Sequence, residues 1–145
     1  MSENNSTVRF KNIVILAKEN MKGPVVLILP GSHTKFVYVN ESNEIQGCTT
    51  TMAGEMLMEL TRSSIISDSL NSAYAEKIEK KWLEAGADSA KKTGLTRTAF
   101  SVRILDLFTE TTVNQKANYL LGAVVATDIK ALFGSSVYEI NHNCD

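Results

Sequence analysis

Residues 25–29, Val-Val-Leu-Ile-Leu, form an unbroken aliphatic run that stops at Pro30-Gly31-Ser32. A short apolar run bounded by breakers reads as a strand, and continuous apolarity predicts one covered on both faces. Lys22-Gly23-Pro24 breaks the chain ahead of it, and the Pro-Gly-Ser step forces a turn after it. Phe36-Val37-Tyr38-Val39 is a second strand run, and Asn40-Glu41-Ser42-Asn43-Glu44 is a polar turn of hairpin type. Residues 45–51 make a third strand that ends in three threonines. Three strands joined by links this short pair with their sequence neighbours, which predicts an antiparallel meander.

Beyond residue 51 the pattern changes to helical periodicity. A helix is predicted over 52–62, directly after the third strand, with Met56, Leu57 and Leu60 turned to a core. Ser67-Asp68-Ser69 reads as a loop and cap. Residues 71–92 place Tyr74, Ile78, Trp82 and Ala85 at helical spacing, with Glu–Lys pairs on the other side. Gly86 is a candidate break inside that helix, and Gly94 ends it after Lys91 and Lys92. Residues 96–108 carry Phe100, Ile104, Leu107 and Phe108 on one stripe. A last helix runs from a cap at Thr111 or Thr112 to about Phe133, with Val113, Ala117, Leu120, Leu121, Val124 and Leu132 inward and Gly134 closing it. Residues 8–20 are expected to be helical, 1–7 a tail, and 137–140 a fourth strand. Strands followed by helices indicate an α/β or α+β domain.

At 145 residues the chain suits one domain with a real core. The net charge of -1 gives no field that would draw nucleic acid or an anionic membrane, so an anionic ligand needs a local site. The apolar runs are far too short to span a bilayer, and a cytoplasmic location is the expectation. Cys48 and Cys144 form neither a metal spacing nor a disulfide framework. His142 and Cys144, near the end of the chain, make a poor metal site, and no metal ligands are assigned. Trp82 reads as a core anchor; Met52, Met56 and Met58 read as helix packing; Glu79-Lys80-Lys81 reads as a solvated face.

Two segments carry chemistry. Gly31-Ser32-His33-Thr34-Lys35 lies between two strands. Gly31 would let the backbone turn without a Cβ clash, and successive N–H groups there could point into one anion-binding concavity. Ser32 and Thr34 offer hydroxyl donors, Lys35 a point charge, and His33 a donor or a base. The same composition also describes a plain turn. Gly54-Glu55 opens the helix after the third strand, where backbone donors suit an anion or a hydroxyl-rich ligand. The alternative is a packing glycine beside a carboxylate that complements the helix dipole.

Together these segments resemble a known pattern. Residues 26–37, Val-Leu-Ile-Leu-Pro-Gly-Ser-His-Thr-Lys-Phe-Val, resemble the apolar strand and Pro-Gly-Thr-His-Ser-Lys-Trp-Val of the 2-dehydro-3-deoxygalactonokinase family. Thr50-Thr51-Met52-Ala53-Gly54-Glu55-Met56 resembles its Thr-Phe-Met-Thr-Gly-Glu-Leu. Ser63-Ser64-Ile65-Ile66, Trp82-Leu83-Glu84-Ala85, Phe100-Ser101-Val102-Arg103 and Tyr119-Leu120-Leu121-Gly122 are similar to later, less specific segments. The resemblance extends over about 25–133, the middle portion of the family.

The resemblance implies an α/β fold: a ribonuclease-H-like half of an actin-like sugar kinase, its three-stranded antiparallel meander followed by helices. Residues 1–21 would be a tail with a leading helix, and 22–145 a partial second kinase domain. The implied reaction moves the ATP γ-phosphoryl group to the 6-hydroxyl of 2-dehydro-3-deoxy-D-galactonate with Mg²⁺. It marks Gly31, Ser32, His33, Thr34, Lys35, Gly54 and Glu55 as phosphate- or substrate-binding and leaves the catalytic residues unassigned. Departures accompany it: Ser32, Thr34, Phe36 and Ala53 replace Thr, Ser, Trp and Thr. No Asp-X-Gly phosphate hairpin occurs, and Arg9-Phe10-Lys11-Asn12 keeps only the Arg of an Arg-Gly-Glu-Glu motif. The family's C-terminal glycine-rich nucleotide segment would follow Ile140, close to the last residue given, Asp145.

One expectation is therefore a kinase segment, inactive alone and completed by a complementing kinase domain. The other is a non-catalytic domain that binds a sugar acid or nucleotide or forms a homodimer through exposed sheet edges. A hydrolase built on His33 has no nucleophile elbow to support it.

Overall fold

The computed structural model describes residues 23–134. Strands β1 (Val25–Leu29), β2 (Thr34–Val39) and β3 (Ile45–Thr51) form one antiparallel sheet in the order β1-β2-β3. Helices α1 (Ala53–Arg62), α2 (Lys80–Thr93), α3 (Leu95–Phe108) and α4 (Val113–Phe133) follow, with a short 3₁₀ turn at Asp68–Leu70. The predicted leading tail and helix, the Arg9-Phe10-Lys11-Asn12 segment, the fourth strand, His142 and Cys144 lie outside the described residues.

The meander is as the strand runs predict. Val25 pairs with Val39 and Leu29 with Lys35, while Thr34 pairs with Thr51 and Tyr38 with Gly47. The register slips by one residue at Tyr38/Val39, next to the hairpin turn. That turn is held locally. The Glu44 amide donates to the Asn40 side chain at 2.9 Å, and Asn43 takes a left-handed φ of 66°, which asparagine tolerates. On one face of the sheet Leu27, Val37 and Val39 cluster with Val25 and Leu29. On the other, Phe36 packs with Leu132 of α4, beside Val26 and Tyr38. β1 is not covered on both faces, because Ile28 is 53% exposed. It is an edge strand among the described residues, and its continuous apolarity overstates its burial.

The helices pack around α4. Ile66, Leu70, Ala99, Val102, Ala117 and Leu120 form the core, with Leu57, Leu60 and Trp82 against it. Burying each of the larger side chains contributes about 1.5–3 kcal/mol. Thr112 caps α4 through a capping box with Gln115, the second of the two threonines expected there. α2 and α4 make the closest crossing. A Cβ on Gly86 would lie 1.8 Å from the Tyr119 carbonyl oxygen, and one on Gly122 would lie 1.9 Å from that of Leu83. Gly86 therefore does not break α2; it lets another helix backbone rest on it. Ala87, Ala90, Ala123 and Ala126 continue this close seam.

Three helix readings need correction. α2 begins at Lys80, not at 71. Asn71 and Ser72 adopt left-handed backbone, with φ of 50° and 52°. The non-helical residues after them are held by α4: the amides of Glu76 and Lys77 donate to Asn114 Oδ1, and that of Glu79 to Asn118 Oδ1. Asn118 Nδ2 returns a bond to the Lys77 carbonyl at 2.8 Å. Tyr74 and Ile78 thus precede the helix, and Ile78 is exposed. Second, α3 buries Thr98, Ala99 and Val102, while Phe100, Leu107 and Phe108 face outward. The inner face takes small side chains because Thr98 sits against α2, its hydroxyl within 3.1 Å of Ser89 Oγ. Third, Met52, Met56 and Met58 are partly exposed and belong to no buried core cluster among the described residues. Met56 lies along an apolar groove with Leu60, Ile65 and Phe100.

One buried charge is matched. Lys116 is 4% exposed and donates to Asp106 Oδ1 at 2.5 Å. That ammonium holds the Asp106 carboxyl below the ordinary carboxylate range. Among the described residues no helix is long and apolar enough to cross a membrane.

Candidate functional site

The β1–β2 link and the first turn of α1 meet at one end of the sheet. Their neighbourhood follows from strand pairing. Thr34 opens β2 opposite Thr51, the last residue of β3, and only Met52 separates β3 from α1. The helix therefore starts beside the Gly31-Ser32-His33 bend. Met52 contributes no side-chain cap. Instead the Glu55 amide donates to the Ser32 carbonyl at 2.9 Å, so the bend caps the helix.

Contact between the two backbones is close. A Cβ on Gly54 would lie 2.0 Å from the Gly31 carbonyl oxygen and 3.0 Å from Ser32 Cα. Only glycine permits that approach. Gly31 itself is less constrained than its sequence setting suggests. A Cβ there would meet only the His33 carbonyl at 3.9 Å, an ordinary contact, and its φ is not left-handed. The expectation that Gly31 avoids a Cβ clash is thus corrected, and Gly54 carries that requirement.

Side chains add a second tie. His33 Nε2 lies 2.9 Å from Glu55 Oε2, with both side chains partly exposed. Lys35 Nζ donates to the His33 carbonyl at 3.4 Å. The carbonyls of Gly31, Ser32 and His33 are therefore turned to the helix or to Lys35. Their amides, on exposed residues, donate no hydrogen bond among the described residues. Ser32 is exposed, whereas Thr34 is 7% exposed and opens β2 opposite Thr51. Glu55's own amide is engaged by Ser32 and is not available to a ligand.

Of the seven residues singled out from the sequence, six thus gather within one bend and one helix turn. The His33–Glu55 pair joins residues 22 apart in sequence, and no spacing rule predicts it. Chemically, the arrangement sets exposed amide donors, an imidazole backed by a carboxylate, and an ammonium side by side. Such a set suits an oxyanion-bearing ligand. Among the described residues no three His, Cys, Asp or Glu side chains stand close enough to hold a metal ion.

No curated protein matches the sequence at a significant level. A solved structure from Sinorhizobium meliloti, a candidate 2-dehydro-3-deoxygalactonokinase, shares the fold with a TM-score of 0.72 at 24% identity. The match covers 88% of this chain and 43% of the solved one, so this chain spans less than half the length of that relative. The family model for 2-keto-3-deoxy-galactonokinase matches residues 12–138, a span that includes β1 to β3, the bend and α1 to α4. The chain belongs to the 2-keto-3-deoxy-galactonokinase family.

Proposed function

We propose that this chain is a segment of an ATP-dependent sugar-acid kinase acting in the cytoplasm on 2-dehydro-3-deoxy-D-galactonate. In this reading residues 22–145 are part of the second of two ribonuclease-H-like domains in an actin-like kinase. The bend and the first turn of α1 form one wall of the ligand cleft. The observation that carries the proposal is the family match over 12–138, which takes in the bend with its exposed amides.

Phosphoryl transfer asks a protein chiefly for positioning and for neutralisation of charge on the phosphoryl oxygens. The amides of Gly31, Ser32 and His33 suit an oxyanion, with Lys35 adding positive charge nearby. Gly54 and Glu55 hold the bend in place. These residues fit the phosphate portion of a nucleotide or the carboxylate of a sugar acid. They do not fit Mg²⁺, for which the described residues supply no ligand cluster. In the reading proposed, the opposite wall comes from the remaining part of the kinase fold, and this segment alone transfers no phosphate. Groups from both walls are needed to orient the reactants.

The test measures ATP-dependent phosphorylation of 2-dehydro-3-deoxy-D-galactonate in the presence of Mg²⁺. The chain is assayed alone and with a polypeptide supplying the rest of the fold. Turnover in the mixture and none with either part is expected. No turnover from two folded, associated parts would count against the kinase reading. It would favour a non-catalytic ligand-binding or self-associating domain, the second reading, which draws on the match covering only 43% of the solved relative.

A further inference from the structure

The outward stripe of α3 belongs neither to the core nor to the bend. Phe100 is 46% exposed, Leu107 58% and Phe108 78%, with Ile104 half-buried between them. Residues four apart on a helix share a face, so these side chains form one apolar ridge. At Phe100 the ridge runs into the groove that also takes in Met56, Leu60 and Ile65. A contiguous exposed apolar surface of this kind marks a protein contact. Its pattern reads nearly alike from either end. Phe100 and Phe108 stand equally far from Ile104, on opposite sides. Charge is ordered about the same point: Arg97 and Arg103 precede Ile104, and Asp106 and Glu110 follow it. Asp106 already accepts from Lys116, whereas Arg97 and Glu110 are exposed and form no ion pair among the described residues.

We propose that α3 is a self-association face, packing antiparallel on α3 of a second copy of this chain about a two-fold axis beside Ile104. Charge complementarity selects that occupant. Arg97 and Glu110 lie almost equally far from Ile104, so the axis brings the arginine of each copy to the glutamate of the other. A parallel pairing would set arginine on arginine and glutamate on glutamate, which Coulomb repulsion disfavours. The same axis sets Phe100 of each copy against the partner's Phe108, an aromatic pair made twice. The groove beside Phe100 gives the incoming apolar side chains a seat on Met56 and Leu60. A contact of this symmetry uses one patch on both copies and closes at two. It lies on a helix and not on the sheet edges, and it rests on neither the bend nor the kinase reading.

Sedimentation equilibrium of the full chain at low ionic strength, where exposed charges act over the longest range, tests this. A reversible dimer with a Kd of about 1–100 μM is expected. Phe108→Ser changes an exposed side chain, so circular dichroism should stay native while the dimer weakens by about tenfold or more. Arg97→Glu and Glu110→Arg should each weaken it by about threefold or more, because each puts like charges together. An equimolar mixture of those two variants restores both opposite-charge contacts and should dimerise more tightly than either variant alone. That complementation separates a two-fold pairing from unspecific aggregation. A chain that stays monomeric at the highest concentration overturns the proposal, as does a dimer indifferent to Phe108→Ser. Loss without complementation in the mixture overturns the antiparallel register. If a polypeptide supplying the rest of the kinase fold disperses the dimer, and Phe108→Ser abolishes its binding, the face belongs to that polypeptide and the self-association reading falls.

Discussion

The crossing of α2 and α4 makes a quantitative prediction. Gly122→Ala puts a Cβ 1.9 Å from the Leu83 carbonyl oxygen and 3.1 Å from the Ala87 nitrogen. Non-bonded contacts become comfortable near about 3.5 Å, so the helices must part by roughly 1.5 Å. The opposing atoms are helix backbone and cannot rotate aside. Overpacking of this kind costs about 1–3 kcal/mol, and the rigid contact places this site near the upper end. Alanine's better helix propensity returns about 1 kcal/mol. The net loss is then about 2 kcal/mol, and Tm falls by about 4–8 °C for a chain of this size. Gly86→Ala meets the Tyr119 carbonyl at 1.8 Å and should cost a similar amount. One separation of the helices relieves both clashes, so the double variant should lose little more than either single one. Urea unfolding of the full chain, followed by circular dichroism, measures all four corners of this cycle. Single variants within about 0.5 kcal/mol of wild type, or strictly additive losses, would refute the close crossing.

The remaining predictions concern the bend and two buried polar groups. Gly54→Ala should push the Gly31 carbonyl away, break the Glu55–Ser32 bond and destabilise by about 1–3 kcal/mol, whereas Gly31→Ala should change stability by less than about 1 kcal/mol. Thermal unfolding of the pair decides it, and equal losses would contradict the contact. Asn118→Ala should cost about 2–3 kcal/mol, because it removes bonds to Lys77 and Glu79 from a fully buried site, and amide exchange over residues 76–79 should accelerate. Unchanged exchange there would show that the segment holds itself. For Asp106, Lys116 depresses the folded carboxyl, so its stabilisation is complete above the unfolded carboxylate range and is lost as pH falls below about 4 toward the folded value. Asp106→Asn should lower stability at neutral pH, by leaving the Lys116 charge buried and unpaired, and should flatten the acid limb of the pH profile. A profile of unchanged shape would disconnect that carboxylate from acid unfolding.

The meander was legible because its causes are local. Apolar runs, a Pro-Gly step and an asparagine-rich turn each act over a few residues, and together they leave few ways to pair three strands. The errors share one physical origin. Periodicity records that side chains are apolar and does not say which face a neighbour covers. On α3 the large residues Phe100, Leu107 and Phe108 marked a stripe, yet the small face with Thr98 and Ala99 is the one against α2 and α4. Tyr74 and Ile78 have helical spacing, yet the asparagines of α4 hold the backbone between them outside any helix by direct hydrogen bonds.

The candidate site divides in the same way. Its residue types, and the family they belong to, were readable from two short motifs. The sequence alone determined the three-stranded meander, a threonine cap at 111 or 112 for the last helix and the identity of the residues around the bend, since each depends on groups close along the chain. Tertiary structure decided that Gly54, not Gly31, permits the backbone contact, and that His33 meets Glu55. It also decided that Thr34 is buried and that two glycines let α2 and α4 touch. Those outcomes depend on distances between segments tens of residues apart, and only packing sets such distances.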